Sequence, residues 1–257
     1  MSSNDILEQL VILSNHLGKP EYDYVILGEG NTSGKLDDQT FLVKASGTEL
    51  RTITSGGFVQ VSFKRAFSML NGPALNDVEV KEALTGAKVS PEAPGHPSVE
   101  TLLHAQLLSL EDINFVGHTH PIAINILTCS TAFPSIFQGR IFPDEIVLCG
   151  VAPLLVPYTD PGIPLARHIH NLLQDYLNQY GQPPRIIIMQ NHGLIALGRT
   201  AKQVEDVTAM AVKTARILAG ACSIGGPRYL TLKDVDRIHT RLDEVYRRKQ
   251  LGLEKKD

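Results

Sequence analysis

The sequence predicts an α/β fold, a mixed and mostly antiparallel central sheet covered by helices, in a single domain over residues 1–257. Segments with the helical spacing of apolar residues alternate with short β-branched runs along the whole chain, so neither element type is confined to one half. Several neighbouring strands are joined by connections too short for a parallel crossover, which leaves antiparallel pairing. A chain of 257 residues is also long enough to bury a substantial core.

In chain order, Ile6, Leu7, Leu10, Val11 and Leu17 form the apolar stripe of a first helix, capped by Asn4 or Asp5. Residues 24–27 and 40–44 read as strands, with 35–38 as the turn between them. A Pro/Gly-rich loop at 91–97 enters a helix near Ser98 whose apolar face holds Val99, Leu102, Leu103 and Leu107. The run through 114–120 is a strand that Pro121 ends, because proline has no N–H for the ladder. Residues 146–148 and 152–156 read as strands and 164–180 as a helix. Residues 185–190 are an apolar strand, and 194–197 pair back onto it across the turn at Gly193. A helix at 200–218 has Thr200 and Gln203 placed as a capping box and Gly220 as its stop. A last helix covers about 231–248, and a charged tail follows from about residue 249.

Composition narrows the function. A net charge of -3 argues against nucleic-acid binding, so anion recognition must be local. Cys129, Cys149 and Cys222 are odd in number and widely spaced, which reads as buried thiols of a reducing compartment rather than a disulfide framework. No basic region leads into an apolar run at the N-terminus and no stretch approaches a membrane span, so a cytoplasmic location is expected.

The most informative motif is His118-Thr119-His120 at a strand end. Side chains two apart on a strand share a face, so both imidazoles project together, which supplies half of a zinc ligand set. A third ligand is sought among the remaining histidines. His192, in Asn191-His192-Gly193, follows a buried strand at a place where glycine lets backbone approach closely. His168 and His170 lie two apart on a helix and therefore point about 200° apart, as surface residues. His104 shares a helix face with Glu100 and reads as a structural histidine. Glu100 lies at the start of the helix that leads to the His-x-His strand. There it either caps that helix or, if the chain doubles back, faces the metal.

Five segments then occur in an order that resembles the class II aldolase/adducin family of zinc-dependent sugar-phosphate aldolases and epimerases. They are Gly30-Asn31-Thr32-Ser33, Lys44-Ala45-Ser46-Gly47, Pro97-Ser98-Val99-Glu100, His118-Thr119-His120-Pro121 and Asn191-His192-Gly193. The resemblance implies a three-layer α/β/α domain, a homotetramer with active sites at subunit interfaces, and one Zn2+ per chain. It implies that His118, His120 and His192 are metal ligands. Glu100 is the implied catalytic carboxylate, able to ligate the metal when substrate is absent. Gly30, Asn31, Ser46, Gly47 and Ser98 match the phosphate-binding segments. Val99 departs from the pattern, which often has a second serine there. Asp144 and Tyr246 are the candidates for assisting protonation. The expected reaction is retro-aldol cleavage of a small phosphorylated sugar, a ketose phosphate, to dihydroxyacetone phosphate and an aldehyde. The alternatives are an epimerase, dehydratase or decarboxylase acting on a sugar or sugar-acid phosphate and, more remotely, a non-catalytic adducin-like module.

Overall fold

The structure, a computed structural model, describes residues 2–70, 72–73 and 75–253. Among these residues the strands are β1 (Asn31–Lys35), β2 (Thr40–Lys44), β3 (Phe58–Ser62), β4 (Phe115–Thr119), β5 (Leu154–Val156), β6 (Ile186–Met189) and β7 (Gly193–Gly198). They form one sheet in the order β3-β2-β1-β4-β7-β6-β5. Every pairing is antiparallel except β5 with β6, which run parallel. That exception has its helical crossover, α7 (Ile163–Tyr180), between the two strands.

The other helices are α1 (Ser3–Leu17), α2 (Phe63–Leu70), α3 (Asp77–Gly86), α4 (Thr101–Leu108), α5 (Ile122–Thr128), α6 (Pro143–Cys149), α8 (Ala201–Cys222), α9 (Leu232–Thr240) and α10 (Leu242–Gln250). One core holds Phe41, Val43, Val61, Val116, Ile187 and Ile195 of the sheet under α2, α4 and α7. A second holds Phe115, Ile186, Ile188, Leu194 and Ala196 under α1, α5, α6 and α8. Residues of alternating parity along β4, β6 and β7 thus enter different cores, as strand pleating requires. The result is the expected three-layer α/β/α architecture with a mixed, mostly antiparallel sheet.

Several elements differ from expectation. Residues 24–27 are not a strand; Leu27 has φ +50 in a turn, and β1 is the partner of β2 instead. Asn31-Thr32-Ser33-Gly34 has poor β propensity, and only its two neighbouring strands make it one. Residues 146–148 lie inside α6, whose Pro143 in the first turn and acidic Asp144 and Glu145 are helix-start signals that outweigh three branched or aliphatic residues. The cap of α1 is Ser2, with Asp5 closing a capping box. In α8, Thr200 accepts from the Gln203 N–H, but the Gln203 side chain accepts from the Arg199 amide, and the helix runs past Gly220 to Cys222. The last expected helix is broken at Arg241 into α9 and α10. Of the three thiols only Cys149 is buried. The expected tail overlaps the end of α10, and its residues 254–257 lie outside the described residues. No described helix is long and apolar enough to cross a membrane.

Candidate active site

Strand β4 presents His118 toward α4, the same side as Val116, while Gly117 faces the opposite layer, where a Cβ would meet Val204 at 2.6 Å. His120 follows the strand end, and the Nε2 atoms of His118 and His120 are 2.9 Å apart. His192 comes from the β6–β7 turn. Asn191 takes the left-handed conformation there, at φ 52, which asparagine tolerates better than most residues. Gly193 admits the turn to the site, since a Cβ there would lie 2.5 Å from the Thr119 carbonyl and 2.8 Å from the His120 ring. Ligand atoms of His118, His120 and His192 all lie within 4.8 Å of one another.

The chemistry of this donor set fits a divalent metal ion. The Nδ1 of His118 donates to the Leu194 carbonyl at 3.0 Å, which fixes the tautomer and turns the Nε2 lone pair toward the other two rings. Burial holds all three imidazoles below their ordinary range, His120 to about 4, so they are neutral ligands at pH 7.

Glu100 occupies the N-cap position of α4, but its side chain makes no capping bond. It turns instead to the imidazoles, with Oε2 3.4 Å from His118 Nε2 and Oε1 3.4 Å from His192 Nε2. Oε2 accepts from Asn31 Nδ2 at 2.8 Å, whereas Oε1 is buried with no hydrogen-bond partner. An orphaned carboxylate oxygen facing three neutral ring nitrogens is what a site for a shared cation leaves behind. Burial alone would raise the Glu100 carboxyl. Positive charge at His118 and His192, with the Asn31 bond, outweighs it and brings the group down to about 2. With the rings neutral at pH 7, a cation among them is the charge that would keep this carboxyl ionised.

A chain of polar contacts holds Asn31 in place. Its Oδ1 accepts from His104 Nε2, so the His104 Nδ1 must accept from the Ser33 hydroxyl at 2.6 Å. Burial pushes His104 down to about 3, and it stays neutral. His104 therefore orients the amide that orients Glu100.

Of the residues matched to phosphate binding, Ser98 accepts from Asn31 Nδ2 and from the Glu100 amide, each at 3.3 Å. Ser46 donates its amide to the His96 carbonyl at 2.8 Å and Ala45 bridges Pro97, which places the Ser46-Gly47 turn beside Pro97. Gly47 has φ +80 and open space where a Cβ would stand. Gly30 is tied to the metal strand by close approach, since a Cβ there would lie 2.6 Å from the His118 carbonyl. Asp144 and Tyr246 are not brought to this cluster. Asp144 pairs with Arg247 at 2.8 Å, and Tyr246 lies exposed on α10. His168 bonds Thr159 at 2.7 Å. Sequence reasoning gave no role to Lys44, although it opens the matched Lys44-Ala45-Ser46-Gly47 segment and ends an otherwise apolar strand; it is 3 % exposed, donates to the Gly28 carbonyl at 3.3 Å and acts electrostatically on Glu100.

Residues 8–219 match the Class II Aldolase and Adducin N-terminal domain. The chain belongs to that family. It is 27 % identical over 183 residues to a methylthioribulose-1-phosphate dehydratase of Geobacillus kaustophilus, covering 70 % of this chain and 75 % of that protein. The enzyme of the same name from Bacillus subtilis is 27 % identical over 194 residues, covering 73 % and 80 %. Among solved structures, the N-terminal class II aldolase domain of a conserved Thermoplasma acidophilum protein superposes with a TM-score of 0.65 at 28 % identity, covering 85 % of this chain and 95 % of that one. These relatives correct the expected reaction. The dihydroxyacetone-phosphate-forming aldolase gives way, because both of these sequence relatives are named dehydratases, enzymes that break a carbon–oxygen bond. The lyase class stands.

Proposed function

We propose that this protein is a single-domain, metal-dependent dehydratase that removes water from a ketose 1-phosphate of the methylthioribulose 1-phosphate type. The observation that carries this reading is the likeness to two dehydratases over most of their length, in a chain whose three imidazoles converge on one buried carboxylate. Zinc suits three neutral imidazoles, and held by His118, His120 and His192 it supplies Lewis-acid polarisation of the substrate carbonyl.

Glu100 then acts as the base. With a cation among the imidazoles it is ionised at neutral pH, so it enters the reaction as a proton acceptor, and its Oε1 is the oxygen without a partner. The proton comes from the carbon beside the carbonyl. The C–H electrons form a carbon–carbon double bond as the hydroxyl on the next carbon departs, and return of the proton to that hydroxyl yields water and an enol. Asn31 holds the second carboxylate oxygen and so fixes the direction from which Glu100 reaches the carbon. In this reading Ser46, Gly47, Ser98 and the Gly30–Asn31 turn bind the substrate phosphate, with Val99 in place of a hydroxyl. Exposed Ile26, Leu27, Ile122 and Ile126 support an assembly of several copies that covers them.

The test is product analysis on a panel of ketose 1-phosphates, methylthioribulose 1-phosphate among them. Dehydrated product with the carbon skeleton intact supports the reading. Formation of dihydroxyacetone phosphate, or turnover of none of the panel by metal-loaded protein, refutes it.

A further inference from the structure

The Ser46-Gly47 turn and Val99 do not face closed protein. Together with Lys81 and Thr85 of α3 and with His96 they wall a cavity of about 440 Å³. The Lys81 ammonium makes no hydrogen bond or ion pair among the described residues, its carbonyl alone accepting from the Thr85 hydroxyl at 2.8 Å, and the His96 ring makes none either. One carboxylate, Asp77, also lines the cavity, but it forms no ion pair with Lys81 although it lies four residues before it on the same helix. An unpaired ammonium and an unpaired ring N–H thus share a wall with the turn whose glycine has open space beside it.

Position gives this wall its meaning. The Ser46 amide is bonded to the His96 carbonyl, and Ala45 bridges Pro97, so the end of the 91–97 loop is tied to the Ser46-Gly47 turn. Two residues beyond Pro97 in sequence, Val99 exposes 53 % of its surface to the same cavity. A valine there can offer nothing to a phosphate. The cavity nevertheless provides cationic and N–H donors on its opposite side, which is the compensation an anionic head needs when a hydroxyl is missing.

We propose that α3 and the 91–97 loop form a specificity wall in which Lys81 and His96 bind the phosphate of the substrate, replacing the donor absent at Val99. This inference rests on the ketose phosphate reading above and adds to it the residues that select for the phosphate. Lys81 supplies charge and His96 a directed N–H, while Ser46 and Gly47 supply the floor. Neither Lys81 nor His96 touches the metal-site histidines, so their contribution belongs to binding and not to bond breaking.

The probe is inorganic phosphate, titrated calorimetrically into the full-length metal-loaded protein and its Lys81→Met, Lys81→Glu and His96→Ala variants. Lys81 and His96 are exposed, so the fold tolerates all three changes. We expect Lys81→Met and His96→Ala each to weaken phosphate by about 10–150-fold, the usual range for a charge-assisted contact, and Lys81→Glu to weaken it further. Phosphate held by the metal alone would bind all four proteins equally, and that result overturns the proposal, as does the absence of phosphate binding to the parent. Turnover separates this claim from the reaction. Lys81-dependent phosphate binding without dehydration of any ketose 1-phosphate leaves the wall standing and removes the dehydratase reading. Dehydration with KM unmoved by Lys81→Met removes the wall and leaves the reaction.

Discussion

Glu100 concentrates the chemistry of the site in one side chain, since one of its oxygens is held by Asn31 and the other has no partner. Glu100→Gln preserves shape and the Asn31 contact but cannot take a proton. Metal content should stay stoichiometric while turnover falls by about two to four orders of magnitude; activity within a few-fold of the parent would place the base elsewhere. His118 contributes differently. Its Nδ1 is committed to Leu194, so its Nε2 faces the cluster of imidazoles and Glu100. Elemental analysis of His118→Ala should find most of the metal gone, with circular dichroism showing the fold retained. The acid limit follows from the same burial. A buried imidazole whose pKa is lowered stays neutral in the folded protein until the pH falls through its folded value, so stability is lost from the ordinary imidazole range, where the unfolded chain takes up its proton, down to that value and levels off below it. Metal retention should therefore persist below the ordinary imidazole range and fail as the pH approaches about 4, the His120 value. Release already complete at pH 6 would show that the rings are not shielded as the structure has them. Sequence alone brought forward His118, His120, His192 and Glu100, because residue type and spacing are visible there. It could not show the role of Lys44 or of His104 through Asn31, since both depend on contacts between distant parts of the chain, 16 residues for Lys44 with Gly28 and 73 for His104 with Asn31.

At the scale of elements, the legible ones carried their own signals. Thr40–Lys44, Phe115–Thr119 and the β6–β7 hairpin have β-branched or apolar runs bounded by turn residues, and they fold as read. Strand β1 was hidden because Asn, Thr, Ser and Gly become a strand only between β2 and β4. Helix α6 was hidden because three branched or aliphatic residues fit a buried helical turn as well as a strand. Glu145 of this helix makes a buried ion pair with Arg140 of the segment before it. Arg140 Nη1 contacts Glu145 Oε1 at 2.7 Å, both side chains at most 4 % exposed, and Arg140 also donates to the Cys149 and Gly150 carbonyls. Removing one partner leaves an uncompensated charge in the interior. Glu145→Ala should lower unfolding free energy by about 3–5 kcal/mol in a denaturant titration; a loss under 1 kcal/mol would mean that Arg140 finds water or another acceptor. The same helix ends at Cys149, whose thiol burial pushes up to about 12. A thiol reagent at pH 8 should modify Cys129 and Cys222 in the native protein and reach Cys149 only on unfolding.

For the whole molecule, two helical layers on one sheet bring four chain regions to the same sheet end: the 30–31 turn, the start of α4, the end of β4 and the β6–β7 turn. That convergence positions a metal ligand set without any ligand being adjacent in sequence to more than one other. The architecture was readable from the ordered motifs, while the reaction was not, because an aldolase and a dehydratase need the same imidazoles and the same carboxylate. What differs is the bond that departs after the proton is taken. A ketose 1-phosphate labelled with heavy oxygen at the hydroxyl beyond the proton-bearing carbon tests this directly, with mass spectrometry of the product from metal-loaded protein. The expected result is loss of the label as water with every carbon retained, and loss of that conversion in Glu100→Gln. Label retained in a shortened aldehyde would mean that the carbon–carbon bond breaks and that the dehydratase assignment is wrong.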